Sequence, residues 1–126
     1  MVALNFQPQF ADDVESGVKC QTIRRAARCK PGDILQLYTG QRTAGCRKLG
    51  EGVCKRVTPV RICDTEMLLD GRRIYAGNAG RDDIEDFDND FAKLDGFDSF
   101  MDMADWFRTR YGSLPFDGFV IQWEPK

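Results

Sequence analysis

One apolar stripe at helical spacing, Phe100, Met101, Ala104, Phe107 and Tyr111, stands among a series of short strand-like segments. That imbalance restricts the chain to a sheet-dominated fold with one main helix. Asp98 or Ser99 is placed to cap this helix, and Gly112 to close it. Phe6, Phe10 and Val14 recur at i, i+4 and i+8, which predicts a short N-terminal helix over roughly 9–16, ended by Gly17 in a left-handed conformation.

The strand signals are local. Lys19–Arg25 has the extent of a strand, and Pro31-Gly32-Asp33 is a turn that launches Ile34–Thr39. Thr39–Gly50 reads as a loop rich in Gly, Thr, Arg and Lys. Glu51–Cys63 reads as a long strand in which Pro59 marks an edge position or a bulge. Glu66–Leu69 and Arg72–Tyr75 flank Asp70-Gly71, a strong hairpin signal. Ala76–Asp90, polar and acidic, reads as a surface loop, and Phe116–Trp123 as the last strand. The expected class is therefore α+β: a small, partly closed mixed β-barrel of five to six strands with one main helix and a short N-terminal one. The 126 residues suit one domain, 1–126, with one core.

Composition removes several functions. No run approaches the roughly 18 apolar residues of a membrane helix, and residues 1–6 lack the pattern of a signal peptide, so a cytoplasmic protein is expected. Five cysteines form an odd set without a Cys-x-x-Cys pair, which predicts free and mostly buried thiols. The chain has no histidine, so no metal site and no cofactor is expected, and chemistry falls to Lys, Thr, Asp, Glu, Tyr or Cys. Asp86–Asp90 alternates oxygens as a calcium loop does, but Phe91 and Phe97 stand where that loop needs Gly and Glu. No Walker loop or Gly-x-Gly-x-x-Gly is present.

Charge is segregated. From Lys19 to Arg61, eleven Lys and Arg residues face only Asp33 and Glu51; from Asp82 to Asp105, ten Asp and Glu residues face Lys93 alone. The two halves either neutralise each other or leave a basic groove beside an acidic surface. The segment 17–25 concentrates Lys19, Thr22, Arg24 and Arg25, and suits a site that faces an anion. Arg24 and Arg25 are candidate phosphate or carboxylate anchors. Arg42, Arg47 and Lys48 are candidates for tracking a nucleic-acid backbone from the loop, and Tyr38, Trp106 and Trp123 for base stacking, with core packing the commoner use of Trp123.

Lys19–Arg25, Pro31-Gly32-Asp33, the stretch 91–100 (Phe-Ala-Lys-Leu-Asp-Gly-Phe-Asp-Ser-Phe) and the closing aromatic strand occur in one order. Together they resemble the ASCH domain family, over about Phe6 to Trp123. The resemblance implies a PUA-like β-barrel whose cleft recognises RNA or a modified nucleoside. Some small members of the family hydrolyse the acetyl amide of N4-acetylcytidine with a lysine, a threonine and a glutamate. By resemblance the lysine and threonine fall on Lys19 and Thr22, and the carboxylate on Asp95, one methylene shorter than glutamate. In a regular strand Lys19 and Thr22 point to opposite faces, so their convergence requires a bulge or turn at Cys20–Gln21.

The leading expectation is a module that binds RNA or a modified nucleoside in a basic cleft lined by Lys19, Thr22, Arg24 and Arg25. The alternatives are an amidohydrolase built on Lys19, Thr22 and Asp95, a ribonuclease, and a protein-binding role for the acidic face.

Overall fold

In chain order the elements are β1 (Val2–Phe6), α1 (Pro8–Ser16), β2 (Gln21–Arg24), β3 (Ile34–Thr39), β4 (Arg47–Ile62), β5 (Met67–Leu69), β6 (Arg72–Arg73), α2 (Phe100–Tyr111) and β7 (Phe116–Pro125). A computed structural model describes residues 2–63, 67–70 and 92–126, with the backbone of 72–73. The loop expected at Ala76–Asp90, Gly71 of the hairpin and the acidic run Asp86–Asp90 lie outside the described residues.

Among the described residues seven strands form one mixed sheet organised by β4. Its first half pairs with β3 and its end with β5, while β7 runs antiparallel along its other side from Gly52 to Ile62. β7 carries β2 in turn, and β1 adds in parallel to β3. The sheet curls into a half-barrel, so the α+β class and the mixed, barrel-like sheet hold. Register shifts between Leu37 and Tyr38 and between Cys54 and Arg56 mark where the ladders break. Such bulges bend a strand and increase its twist, which lets a 16-residue strand follow a curved sheet.

Pro59 is not a bulge. It sits opposite Phe119 in the β4–β7 ladder, and its carbonyl accepts the Asp70 N–H at 2.8 Å just beyond the β5 pairing. A proline is tolerated there because its missing N–H falls at the end of the β4–β5 ladder.

α1 begins at Pro8, whose absent N–H costs nothing in a first helical turn, and ends at Gly17 with φ of 84°. Ser99 caps α2 by accepting the Asp102 N–H at 3.1 Å, and Gly112 closes it with φ of 88°. Met103, rather than Met101, joins Phe100, Ala104 and Phe107 in the core. Phe107 packs on Phe116 of β7 with ring centroids 4.7 Å apart.

Three sequence expectations are corrected. β4 starts at Arg47, so Arg47–Gly50 belong to a strand and the loop is confined to 40–46. β1 was not foreseen; its signal is the inward alternation of Leu4 and Phe6. Of the five cysteines only Cys29 and Cys54 are buried, and Cys46 is exposed. Among the described residues no helix is long and apolar enough to cross a membrane.

Candidate functional site

β2 begins only at Gln21, so Lys19 and Cys20 lie in irregular chain before it. The Lys19 N–H donates to the Asp13 carbonyl of α1 at 2.9 Å, and the Cys20 thiol to the Gly17 carbonyl at 3.1 Å. This turn removes the alternation that would have separated Lys19 from Thr22. Both line one pocket of about 150 Å³, and Asp95 lines it with them.

Asp95 comes from far along the sequence. A helical turn at 92–94 delivers it: Ala92 O accepts the N–H groups of Asp95 and Phe97 at 3.1 and 2.9 Å, and Lys93 O accepts that of Gly96 at 3.0 Å. Gly96 has φ of 95°, and a Cβ there would lie 2.8 Å from Phe10 Cδ1. Gly96→Ala is therefore expected to destabilise the protein by about 2–4 kcal/mol through backbone strain and overpacking. Chemical denaturation measures it; a cost below about 0.5 kcal/mol would show that the turn adapts.

Lys19 and Asp95 form a buried ion pair, their side chains 2 % and 5 % exposed, with Lys19 Nζ 3.6 Å from Asp95 Oδ2. Lys19 Nζ also donates to the Asp95 main-chain carbonyl and lies 4.9 Å from the Phe10 ring centroid. The other carboxylate oxygen, Oδ1, accepts from Gln21 Nε2 at 3.3 Å, and Gln21 Oε1 accepts from Gln122 Nε2 at 3.4 Å. Burial, the largest influence, holds the Lys19 ammonium below its ordinary pKa; Asp95 opposes the shift and Arg24 adds to it. Burial also raises the Asp95 carboxyl above its ordinary value against the pull of Lys19, Gln21 and Arg24. Burial thus works against both charges, while each charge of the pair favours the other.

Thr22 is buried, and its hydroxyl has no hydrogen-bond partner among the described residues. The wall opposite is aromatic. Phe10 and Phe97 meet edge to face with centroids 5.4 Å apart, and Trp106 lies 5.8 Å from Phe97. Arg24 completes the rim: its Nη2 donates to Asn5 O at 2.6 Å, and its guanidinium lies 5.0 Å from the Phe6 ring centroid. Its Nε is buried without a partner among the described residues.

The other expected binding residues are not gathered here. Arg25 is exposed and stacks over Tyr111 at 4.8 Å, lining a separate groove of about 520 Å³ with Arg61 and Asp117. Arg42 is exposed in the 40–46 loop. Arg47 pairs with Glu15 at 2.5 Å and Lys48 with Glu51 at 2.8 Å, so two of the three cations expected to track a backbone are held by neighbouring carboxylates. Trp123 is a core residue, Tyr38 is half-buried beside Gln36, and Trp106 alone of the three expected stacking residues lines the pocket.

Gln21, Gln122, Phe97 and Arg110 were missed. Gln21 carried one legible signal, an amide set between residues of a β-compatible run. The partners of the other three come from distant segments.

No protein-family model matches the chain, and no curated protein or solved structure matches it.

Proposed function

We propose that the pocket receives the flat end of a modified nucleoside and hydrolyses an exocyclic amide of the N4-acetylcytidine type, as the likeness to ASCH domains implies. The supporting observation is the meeting of Lys19, Thr22 and Asp95 at one pocket walled by aromatic rings. A volume of about 150 Å³ equals that of about five water molecules, at roughly 30 Å³ each. Such a space suits an acylated base edge, with the sugar outside near Arg110.

The chemistry follows from the pair. The neutral Lys19 amine takes the Thr22 hydroxyl proton as the oxygen attacks the acyl carbon. The Lys19 ammonium then returns that proton to the departing amino group, so the C–N bond breaks and an acyl ester remains on Thr22. Water, deprotonated by the same amine, cleaves the ester to a carboxylic acid and frees the hydroxyl. Asp95 holds Lys19 in place, its main-chain carbonyl accepting from Lys19 Nζ.

Incubation with N4-acetylcytidine, following cytidine and acetate, tests the reading. Release of both is expected, with none from Lys19→Ala. No turnover, or turnover that survives Lys19→Ala, would overturn it.

Binding of RNA without hydrolysis is the second reading, favoured by Arg24 and Arg110 at the same pocket and Arg25 beside Tyr111. With Arg47 and Lys48 already paired, few phosphates are engaged. Filter binding across a salt series should then give a shallow slope, about one to three in log K against log salt. Absence of binding at low salt would remove this reading.

A further inference from the structure

A second pocket, of about 250 Å³, lies on the other side of Gln21. Its lining includes the cations Lys55 and Arg56, the amides Gln21 and Gln122, and the apolar side chains Val18, Leu94 and Trp123. Val18 and Leu94 are 68 % and 55 % exposed, so the pocket presents apolar surface beside its cations. Arg56 sits at the β4 bulge, where the register shift changes the pairing with β7 from Cys54–Trp123 to Arg56–Gln122. It forms no ion pair among the described residues, whereas Lys55 lies 3.4 Å from Glu124. An apolar surface beside a few converging polar groups is the usual makeup of a small-molecule site.

We propose that this pocket binds a small organic anion, a phosphate or carboxylate head at Lys55 and Arg56 carrying an apolar body against Val18 and Leu94. A volume of about eight waters holds such a head and one small ring, at roughly 30 Å³ per water. The guanidinium supplies the forked donors that an anion of this geometry needs, while Lys55, paired with Glu124 at 3.4 Å, adds a weaker attraction. Gln122 connects the site to the first pocket, because it donates to Gln21 and Gln21 donates to Asp95. Occupancy is therefore expected to reach the Lys19–Asp95 pair through two hydrogen bonds. The site does not depend on the hydrolytic reading.

Phenyl phosphate, inorganic phosphate and phenol, titrated separately into the isotope-labelled protein at low salt, test the proposal by NMR. Phenyl phosphate is expected to shift the Gln122 side-chain amide, the Trp123 indole and the Val18 and Leu94 methyl signals, saturating at least tenfold more tightly than either fragment. Arg56→Ala should weaken that binding at least tenfold while leaving the thermal midpoint unchanged. Inorganic phosphate binding as tightly as phenyl phosphate would reduce the site to a cationic patch and overturn the proposal. So would phenol binding equally well, shifts confined to Phe97 and Trp106, or binding unaffected by Arg56→Ala. Cytidine 5′-monophosphate and a short single-stranded RNA serve as further arms. Whichever reproduces the phenyl phosphate shifts names the source of the anion.

Discussion

Asp95→Ala is expected to destabilise the protein by about 3–5 kcal/mol, and the double variant Lys19→Met with Asp95→Asn to recover most of that loss. The single change leaves a lysine, 2 % exposed, without the carboxylate that offsets its burial. The double change removes both charges from a site that Phe10, Phe97 and Gln21 already enclose. Replacing a buried ion pair by uncharged residues is often neutral or stabilising, because desolvation consumes much of the Coulombic gain. Urea denaturation of the three proteins reads the effect. A double variant as unstable as the single one would show that the pair is the better solution to the site.

The pH dependence has a sign that follows from the same burial. Between the lowered Lys19 pKa and 10.5 the unfolded chain holds the extra proton, so this group makes stability rise with pH. Between 3.8 and the raised Asp95 pKa the folded chain holds the extra proton, so this group makes stability fall as pH rises. The wild-type curve minus that of the double variant should therefore descend on the acid side and climb on the alkaline side. A flat difference would mean that neither group is shifted by burial.

Thr22→Val is expected to abolish hydrolysis of N4-acetylcytidine, by at least about 10³ in kcat, with little change in KM. Valine keeps the shape, and the hydroxyl it removes has no partner among the described residues, so stability should change by less than about 1 kcal/mol. In the proposed hydrolysis the amine acts unprotonated, so the wild-type rate should increase with pH and level off below 10.5, the ordinary lysine value. Lys19→Arg keeps the charge but offers no neutral base, and should be inactive across the range. Activity retained by Thr22→Val would move the attack to another group, while a rate that fell with rising pH would remove Lys19 as the base.

Much of the local structure was legible because it rests on short-range signals. α1 with Gly17, the Pro31–Asp33 turn, the strand Ile34–Thr39, and α2 with Ser99 and Gly112 each follow from residues within a few positions of one another. What escaped depends on pairing. β1 is a strand because β3 lies beside it, and Met103 is buried while Met101 is exposed because of where α2 meets the sheet. Arg47 and Lys48 read as loop cations because neither Glu15 nor the strand register is visible at their own positions.

The candidate site divides along the same line. The residue types of the candidate site are legible in the chain itself: Lys19, Thr22, Arg24 and an acidic residue in the second half, with no histidine among them. The turns and caps are legible there too, since φ preferences and capping hydrogen bonds are properties of neighbouring residues. The packing of distant segments makes Lys19 leave the strand before alternation begins, and sets a glycine-bearing turn so that Asp95 comes within 3.6 Å of it. It also links two pockets through Gln21. Burial shifts both groups of the pair, and burial is set by the whole fold packing around it. That desolvation has no counterpart in any local stretch of the chain.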